Sequence, residues 1–265
     1  MHCARPDFAS LYVSREHPQD CGHQRLGTAG VIAMSRFGYL RTPMSADSSV
    51  AAQADAHVCR IDALGIRRAA VMGGSAGAPS ALQMAIRHPD RVSALILLVP
   101  LAYKPPSQAD SAPPMPAWVE ATMMRLIGSD FLFWAALHVA RDQVIKVVLA
   151  TPPALLATAS PQERGRVKAM LDSILPVSAH AEGLRSDTAV GKHLVPAPLG
   201  TLHLPTLIVS ARDDRYGTYA SAQYTASQIA GSKFVGFEEG GHTWVGHDDE
   251  VMAEIVMLLD AKVRP

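Results

Sequence analysis

Residues 68–100, RAAVMGGSAGAPSALQMAIRHPDRVSALILLVP, constrain the fold more than any other stretch. They hold two apolar runs separated by a glycine-flanked serine and a helical pattern. RAAVMG (residues 68–73) reads as a buried strand. The helical pattern runs from the serine to about His88, where Pro89 stops it, because proline lacks the N–H that the next helical hydrogen bond needs. VSALILLVP (residues 92–100) is apolar at successive positions, so both faces of that strand must be covered. A helix between two strands is the usual crossover of a parallel pair, which cannot be joined by a tight turn. A unit of this kind implies an α/β architecture, with helices packed on a mainly parallel sheet.

The same rhythm continues on either side. AGVIAM (residues 29–34) reads as a further strand. Val50, Ala54, Val58 and Ile61 recur at helical spacing, with Asp47, Ser48 and Ser49 as candidate caps and Gly65 as the stop. LPTLIVSA (residues 204–211) and SKFVGFE (residues 232–238) read as two more strands. Val251, Ile255, Leu258 and Leu259 mark one face of a final helix. Residues 104–200 break the rhythm. They open with a Pro/Ser-rich linker, KPPSQADSAPPMP, and continue as helical patterns without a strand. Within them SPQE (residues 160–163) is a capping box with Pro161 at the first helical position. The expected organisation is an α/β core over residues 29–103 and 201–265, a helical lid over residues 104–200, and an atypical N-terminal segment over residues 1–28.

Composition narrows the partners. With 265 residues, 48% of them hydrophobic, the chain can bury a sizeable core. Lys plus Arg equals Asp plus Glu, 24 of each. That balance argues against a nucleic-acid partner, which needs a cationic face to displace counterions. No apolar run approaches the roughly 20 residues that span a bilayer. The first thirty residues lack the apolar block of a secretory signal, so no membrane association is expected. Cys3, Cys21 and Cys59 form neither a CxxC pair nor a disulfide framework, which points to reduced thiols and a cytoplasmic location. No metal is expected, because the His, Cys and Asp residues show no ligand spacing such as HxxxH on a helix.

The serine is the chemical centre of the reading. Gly73-Gly74-Ser75-Ala76-Gly77 fits G-x-S-x-G between a strand and a helix. The turn is so sharp that side chains two residues before or after the serine would meet neighbouring backbone, so glycine stands at both places. The helix that follows aims its N-terminal N–H groups at the serine, where an oxyanion would form. A serine hydroxyl needs a base. Of 11 histidines, His242 in EEGGHTW stands out, just after a strand and in a Gly-rich loop before the last helix. His247 is the second candidate, though it reads as an N-terminal residue of that helix. The base in turn needs a carboxylate to hold its tautomer. IVSARDDRYGT (residues 208–218) offers Asp213 and Asp214 at a strand end, and neighbours in a loop point different ways, so only one should face His242. Serine, then acid, then histidine is the chain order of this motif on an α/β sheet.

With those residues in view, the sequence resembles the α/β-hydrolase fold family, and within it the cap-bearing esterases, lactonases and C–C bond hydrolases. The likeness covers residues 30–259. It rests on the elbow GGSAG, the acid strand LIVSARDD, the histidine loop GGH, and the segments VIAMSRFGY and RHPDRVSALILLVP. The resemblance implies that Ser75 is the nucleophile, His242 the general base and the Ala76 N–H one oxyanion donor. It also favours Asp214 over Asp213, because the family's acid usually follows the small residue that ends its strand by three positions, here Ala211.

Members of that family carry three strands before the one at Val31, and a His-Gly loop that supplies the second oxyanion N–H. This sequence shows neither. Counting back about thirty residues from Val31 reaches residues 1–3, so the chain is expected to begin where that loop would stand. A misplaced start, a frameshifted segment and a genuine variant are the readings of residues 1–28. The family's strand order then leaves a central gap between the strands at Val31 and Ala70. FASLYVS (residues 8–14) is the candidate to fill it, with its polarity against it.

The functional expectation is a serine hydrolase that cleaves an ester, lactone or activated carbonyl through an acyl-enzyme, without a cofactor. The alternatives are a C–C bond hydrolase of the same fold, or a truncated, non-catalytic relative. A dehalogenase or epoxide hydrolase is disfavoured, because its elbow nucleophile is aspartate. Arg36, Tyr39, Trp134 and Trp244 are candidate substrate contacts. Met115, Trp118, Met123, Met124, Phe131 and Phe133 are further lid residues that suggest a small, partly apolar substrate. Oligomeric state is not legible in the sequence.

Overall fold

The two apolar runs around the serine form adjacent parallel strands, β4 (Ala69–Gly74) and β5 (Val92–Leu98), with Met72 opposite Ile96. Helix α2 (Ala78–Arg87) connects them, has Pro79 in its first turn and ends at His88. The computed structural model describes residues 11–14, 25–26, 29–106, 125 and 128–260. The other strands are β1 (Leu11–Ser14), β2 (Arg25–Leu26), β3 (Ala29–Ala33), β6 (Thr206–Ala211) and β7 (Lys233–Phe237). They join in one sheet in the order β2-β3-β1-β4-β5-β6-β7. From β4 to β7 every pairing is parallel.

The central gap expected between β3 and β4 is occupied. β1 lies there and runs antiparallel to both, with Val13 opposite Val31 on one side and Ala70 on the other. The polarity of residues 8–14 misleads because it weighs side chains. What the gap demands is backbone: two open strand edges inside a sheet need donors and acceptors, and any extended segment supplies them. The replacement strand thus reverses one direction in an otherwise parallel centre.

Alternation along each strand builds two cores. Val71, Leu95, Leu97 and Ile208 face one cluster with Ala54, Ile61, Ala81 and Met84. These come from α1 (Val50–Ala63) and α2. Ala222 of α8 (Thr218–Gln228) joins them. Met72, Ile96, Leu98, Leu207 and Val209 face the other side, where Val251 and Ile255 of α9 (Asp248–Asp260) cover them. A strand with a cluster on each face reads as a continuous apolar run, as β5 does. α1 starts at Ser49, whose hydroxyl accepts from the Ala52 N–H at 3.1 Å. Of the three candidate caps, the last is used.

Between β5 and β6 the described residues include five α-helices and no strand: α3 (Asp130–Val139), α4 (Arg141–Val148), α5 (Pro153–Thr158), α6 (Pro161–Ser173) and α7 (Ala181–Lys192). They have a core of their own, with Phe133, Val144, Ile145, Val167 and Leu171 buried around Val245 from the main body. The linker from residue 107 onward, and with it Met115, Trp118, Met123 and Met124, lie outside the described residues. The capping box is half realised. Ser160 accepts from the Glu163 N–H at 3.1 Å. The Glu163 carboxylate, instead of returning to Ser160, accepts from the Gly246 N–H at 2.9 Å.

Candidate active site

Ser75 sits at the tip of β4 with φ 47°, a left-handed conformation that costs a non-glycine residue energy and persists only where packing holds it. The packing is close. A Cβ on Gly73 would stand 2.7 Å from the Ala81 Cβ and 2.9 Å from the Gly77 carbonyl oxygen, so only glycine lets the helix cross so near the strand end. The Ser75 carbonyl accepts from the Leu101 N–H at 3.0 Å, which ties the turn to the segment after β5. Ala76 follows within a single 3-10 turn, Ser75–Gly77, that runs into α2. Its N–H belongs to the helix end where N–H groups lack intrahelical partners.

His242 arrives from a loop of unusual backbone. Gly241 has φ 62°, and a Cβ there would stand 2.7 Å from Thr151. Trp244 has φ 41°. His242 is buried, with Nε2 2.8 Å from Ser75 Oγ and Nδ1 2.8 Å from Asp214 Oδ2. An acceptor-only carboxylate requires Nδ1 to carry the proton, which leaves Nε2 to accept from the serine hydroxyl. Asp214 is fully enclosed by further donors. The Thr218 hydroxyl donates to Oδ2 and the Tyr216 N–H donates to Oδ1 at 2.9 Å. Asp213 takes another part: it accepts from the Gly240 N–H at 3.2 Å and the Gly241 N–H at 2.7 Å. One carboxylate meets the imidazole and its neighbour holds the loop that carries the imidazole.

The remaining sequence candidates fall elsewhere. Arg36 and Tyr39 are buried beneath α7. The Arg36 guanidinium forms a two-pronged pair with Asp187 at 2.5 and 2.6 Å, and the Tyr39 hydroxyl donates to the same carboxylate. Burial works against the Arg36 charge, but Asp187 outweighs it and holds the group above its usual range. Burial, aided by Asp187, pushes the Tyr39 phenol up. Arg36 still lines a small cavity with Ala76, Ser80 and Asp187. Trp244 turns into the core of the α9 face and donates from Nε1 to Asp248 at 3.0 Å. Trp134 is exposed on α3, where it stacks with Phe131 and meets the His138 ring at a tilt. Phe133 is buried inside the helical layer. His247 stacks on Phe237 with ring centroids 3.9 Å apart.

Two residues at the site escape a reading of the sequence. The Tyr216 ring meets His242 edge-on at 4.9 Å, and its hydroxyl donates to the Val148 carbonyl at 2.9 Å. Thr218 secures the acid. Their only signal is position, two and four residues after Asp214 in a loop that turns into a helix. Among the described residues no group of His, Cys, Asp and Glu side chains is arranged to hold a metal ion. None of the described helices is long and apolar enough to cross a membrane.

A serine, a histidine and a carboxylate at three strand ends of this sheet define a class. The sequence matches the alpha/beta hydrolase fold family over residues 8–245, and the chain belongs to that family. The match begins ahead of β1. Over 73 residues the chain is 41% identical to 2-hydroxymuconate semialdehyde hydrolase of Pseudomonas putida, a stretch that covers 27% of this chain and only 26% of that protein. An alpha/beta hydrolase fold protein from Nakamurella multipartita resembles it with a TM-score of 0.64 and 23% identity, over 88% of this chain and 83% of the other. An esterase from Exiguobacterium antarcticum does so with 0.60 and 19%, over 89% and 81%. At such identities the likeness to solved structures bears on fold alone.

Proposed function

We propose that the chain is a serine hydrolase that cleaves an ester, lactone or similar activated carbonyl through an acyl-enzyme. The observation that carries this reading is the unbroken relay from Ser75 Oγ through His242 to Asp214, with both contacts at 2.8 Å. Ser75 Oγ attacks the carbonyl carbon while its proton passes to His242 Nε2. The resulting imidazolium keeps Nδ1–H on Asp214, which stays ionised. The tetrahedral oxyanion accepts from the Ala76 N–H. Its collapse expels an alkoxide that takes the Nε2 proton. His242 then removes a proton from water, the hydroxide attacks the acyl carbon, and the acid leaves as Ser75 is restored. The helices between β5 and β6 act as the lid that sets substrate choice, and a small, partly apolar substrate fits the reading. The cysteine usage supports a cytoplasmic setting. No cofactor enters any step.

A fluorophosphonate probe tests the reading. Expected is covalent labelling of the folded protein that disappears in Ser75→Ala. A folded sample that does not label sinks the proposal and leaves the non-catalytic alternative. The local 41% identity to 2-hydroxymuconate semialdehyde hydrolase favours C–C bond hydrolysis as the second reading. Comparing turnover of a p-nitrophenyl ester with that of a dienol-ketone separates the two.

A further inference from the structure

The histidine loop is held from two sides, and one of them is the helical insertion. Asp213 of the α/β core accepts from the N–H groups of Gly240 and Gly241, the residues before His242. The residues after His242 are held by α6. Arg166 Nη2 donates to the Thr243 carbonyl at 2.7 Å, immediately beyond the histidine. The guanidinium also lies 5.4 Å over the Trp244 ring, where the backbone is left-handed. Its Nε is 3.4 Å from Asp248, the carboxylate that accepts from the Trp244 indole. Glu163 orients Arg166 through contacts of 2.8 and 3.1 Å and accepts from Gly246, closing the ring of contacts.

The loop needs this bracing. Four residues around the imidazole and its exit, Gly240, Gly241, Trp244 and Gly246, have positive φ, so local preference does not by itself select the geometry that puts Nε2 on Ser75. A planar, always-charged fork suits a site where a carbonyl, a carboxylate and a ring face must be met at once, and a lysine would meet only some of them. Burial opposes ionisation of Glu163, but Arg166 and the Gly246 N–H outweigh it and hold the carboxyl below its usual range. The Arg166 partner is therefore charged at neutral pH.

We propose that Arg166 is a positioning residue for His242, reaching from the helical insertion to fix the backbone just after the general base. This rests on the serine-hydrolase reading given above. It makes the insertion part of the catalytic geometry as well as a cover for the substrate.

The test compares Arg166→Met, Arg166→Lys and Glu163→Gln with the unaltered protein, each checked for folding by circular dichroism. Expected in Arg166→Met is a fall in kcat of about 10–100-fold, the scale on which small misplacements of a catalytic group act, with KM changed less than about 2-fold. Arg166→Lys should recover part of the loss. The far-downfield proton resonance of His242 Nδ1–H, assigned by its absence in Asp214→Asn, should broaden or shift in Arg166→Met and return toward its original position in Arg166→Lys. An unchanged kcat and an unchanged resonance in folded Arg166→Met overturn the positioning role. So does a loss that appears in KM alone. If Arg166→Met does not fold, the same readouts on Arg166→Lys and Glu163→Gln decide. Failure of the hydrolase reading looks different: no labelling at Ser75 in any of the proteins, with the Nδ1–H resonance still responding to Arg166.

Discussion

Asp213 and Asp214 are adjacent in sequence yet serve different partners: Asp214 Oδ2 lies 2.8 Å from His242 Nδ1, and Asp213 Oδ1 lies 2.7 Å from the Gly241 N–H. The division separates chemistry from architecture. Asp214→Asn keeps the shape but offers Nδ1 the wrong tautomer, so turnover should fall by about 10³–10⁴-fold with little change in melting temperature. Asp213→Asn loosens the loop without touching the imidazole, so its turnover should fall by no more than about 10–100-fold, the scale of a small misplacement, while stability drops by about 1.5–3 kcal/mol, the range for hydrogen bonds to a charged group. Ester hydrolysis and urea melts on the two variants check both. A reversed pattern would mean that the acid has been assigned to the wrong neighbour.

The Arg36–Asp187 pair bridges the loop after β3 and helix α7, with side chains only 10% and 14% exposed. Such a pair adds little net stability over apolar residues, but removing one partner strands the other charge in a dry site. Asp187→Ala should therefore destabilise by about 3–5 kcal/mol, read from the shift of the urea midpoint. The double variant Arg36→Met/Asp187→Leu should recover a large part of it. Equal losses in the single and double variants would show that packing, not charge, is at stake.

His57 is buried on α1 with its Nε2 3.3 Å from the Gln53 amide, and burial, helped by the Arg36 charge, pushes its pKa down to about 3. The folded protein holds it neutral where the unfolded chain, near 6.5, takes up a proton. Its contribution to stability is thus complete above about pH 6.5 and declines as the pH falls toward about 3. The ring-proton resonance of His57 should stay fixed between about pH 8 and 5 while exposed histidines titrate. His57→Gln should flatten the acid side of the melting-temperature profile. A His57 resonance that titrates normally would remove the basis for this.

β1 is bonded on both sides, to β3 and to β4. Amides of Tyr12 and Val13 should then exchange with solvent as slowly as those of neighbouring strands, since opening them requires disrupting the middle of the sheet. Hydrogen exchange followed by NMR measures this directly. Exchange on the timescale of exposed loops would mean that the centre of the sheet is closed in some other way.

Much of the site is legible residue by residue because its parts are local. The G-x-S-x-G turn demands glycine at Gly73 for a steric reason that the structure bears out, with Ala81 closing in from the helix. Helix ends at Ser49, Ser160 and His88 follow capping and proline rules. The apolar runs of β4, β5 and β6 announce strands covered on both faces. What failed to show were pairings over long separations. Nothing in the sequence links Arg36 to Asp187, Arg166 to Thr243 or Tyr216 to Val148. The capping box at SPQE sends its Glu163 to Gly246, because a backbone N–H from the facing loop competes successfully with the local partner.

From residue 29 onward the sequence by itself determined the strand–helix order of the core, the elbow that presents Ser75 and the candidates for base and acid, since turns, caps and periodicity are dictated within a few residues. Only the tertiary structure decided that β1 completes the sheet, that Asp214 faces the imidazole while Asp213 holds its loop, and that the helical insertion grips the residues beyond His242. Those outcomes depend on which backbone edges and charges are left unsatisfied once the chain is packed. That demand is set by the whole fold and leaves no local mark in the residues that meet it.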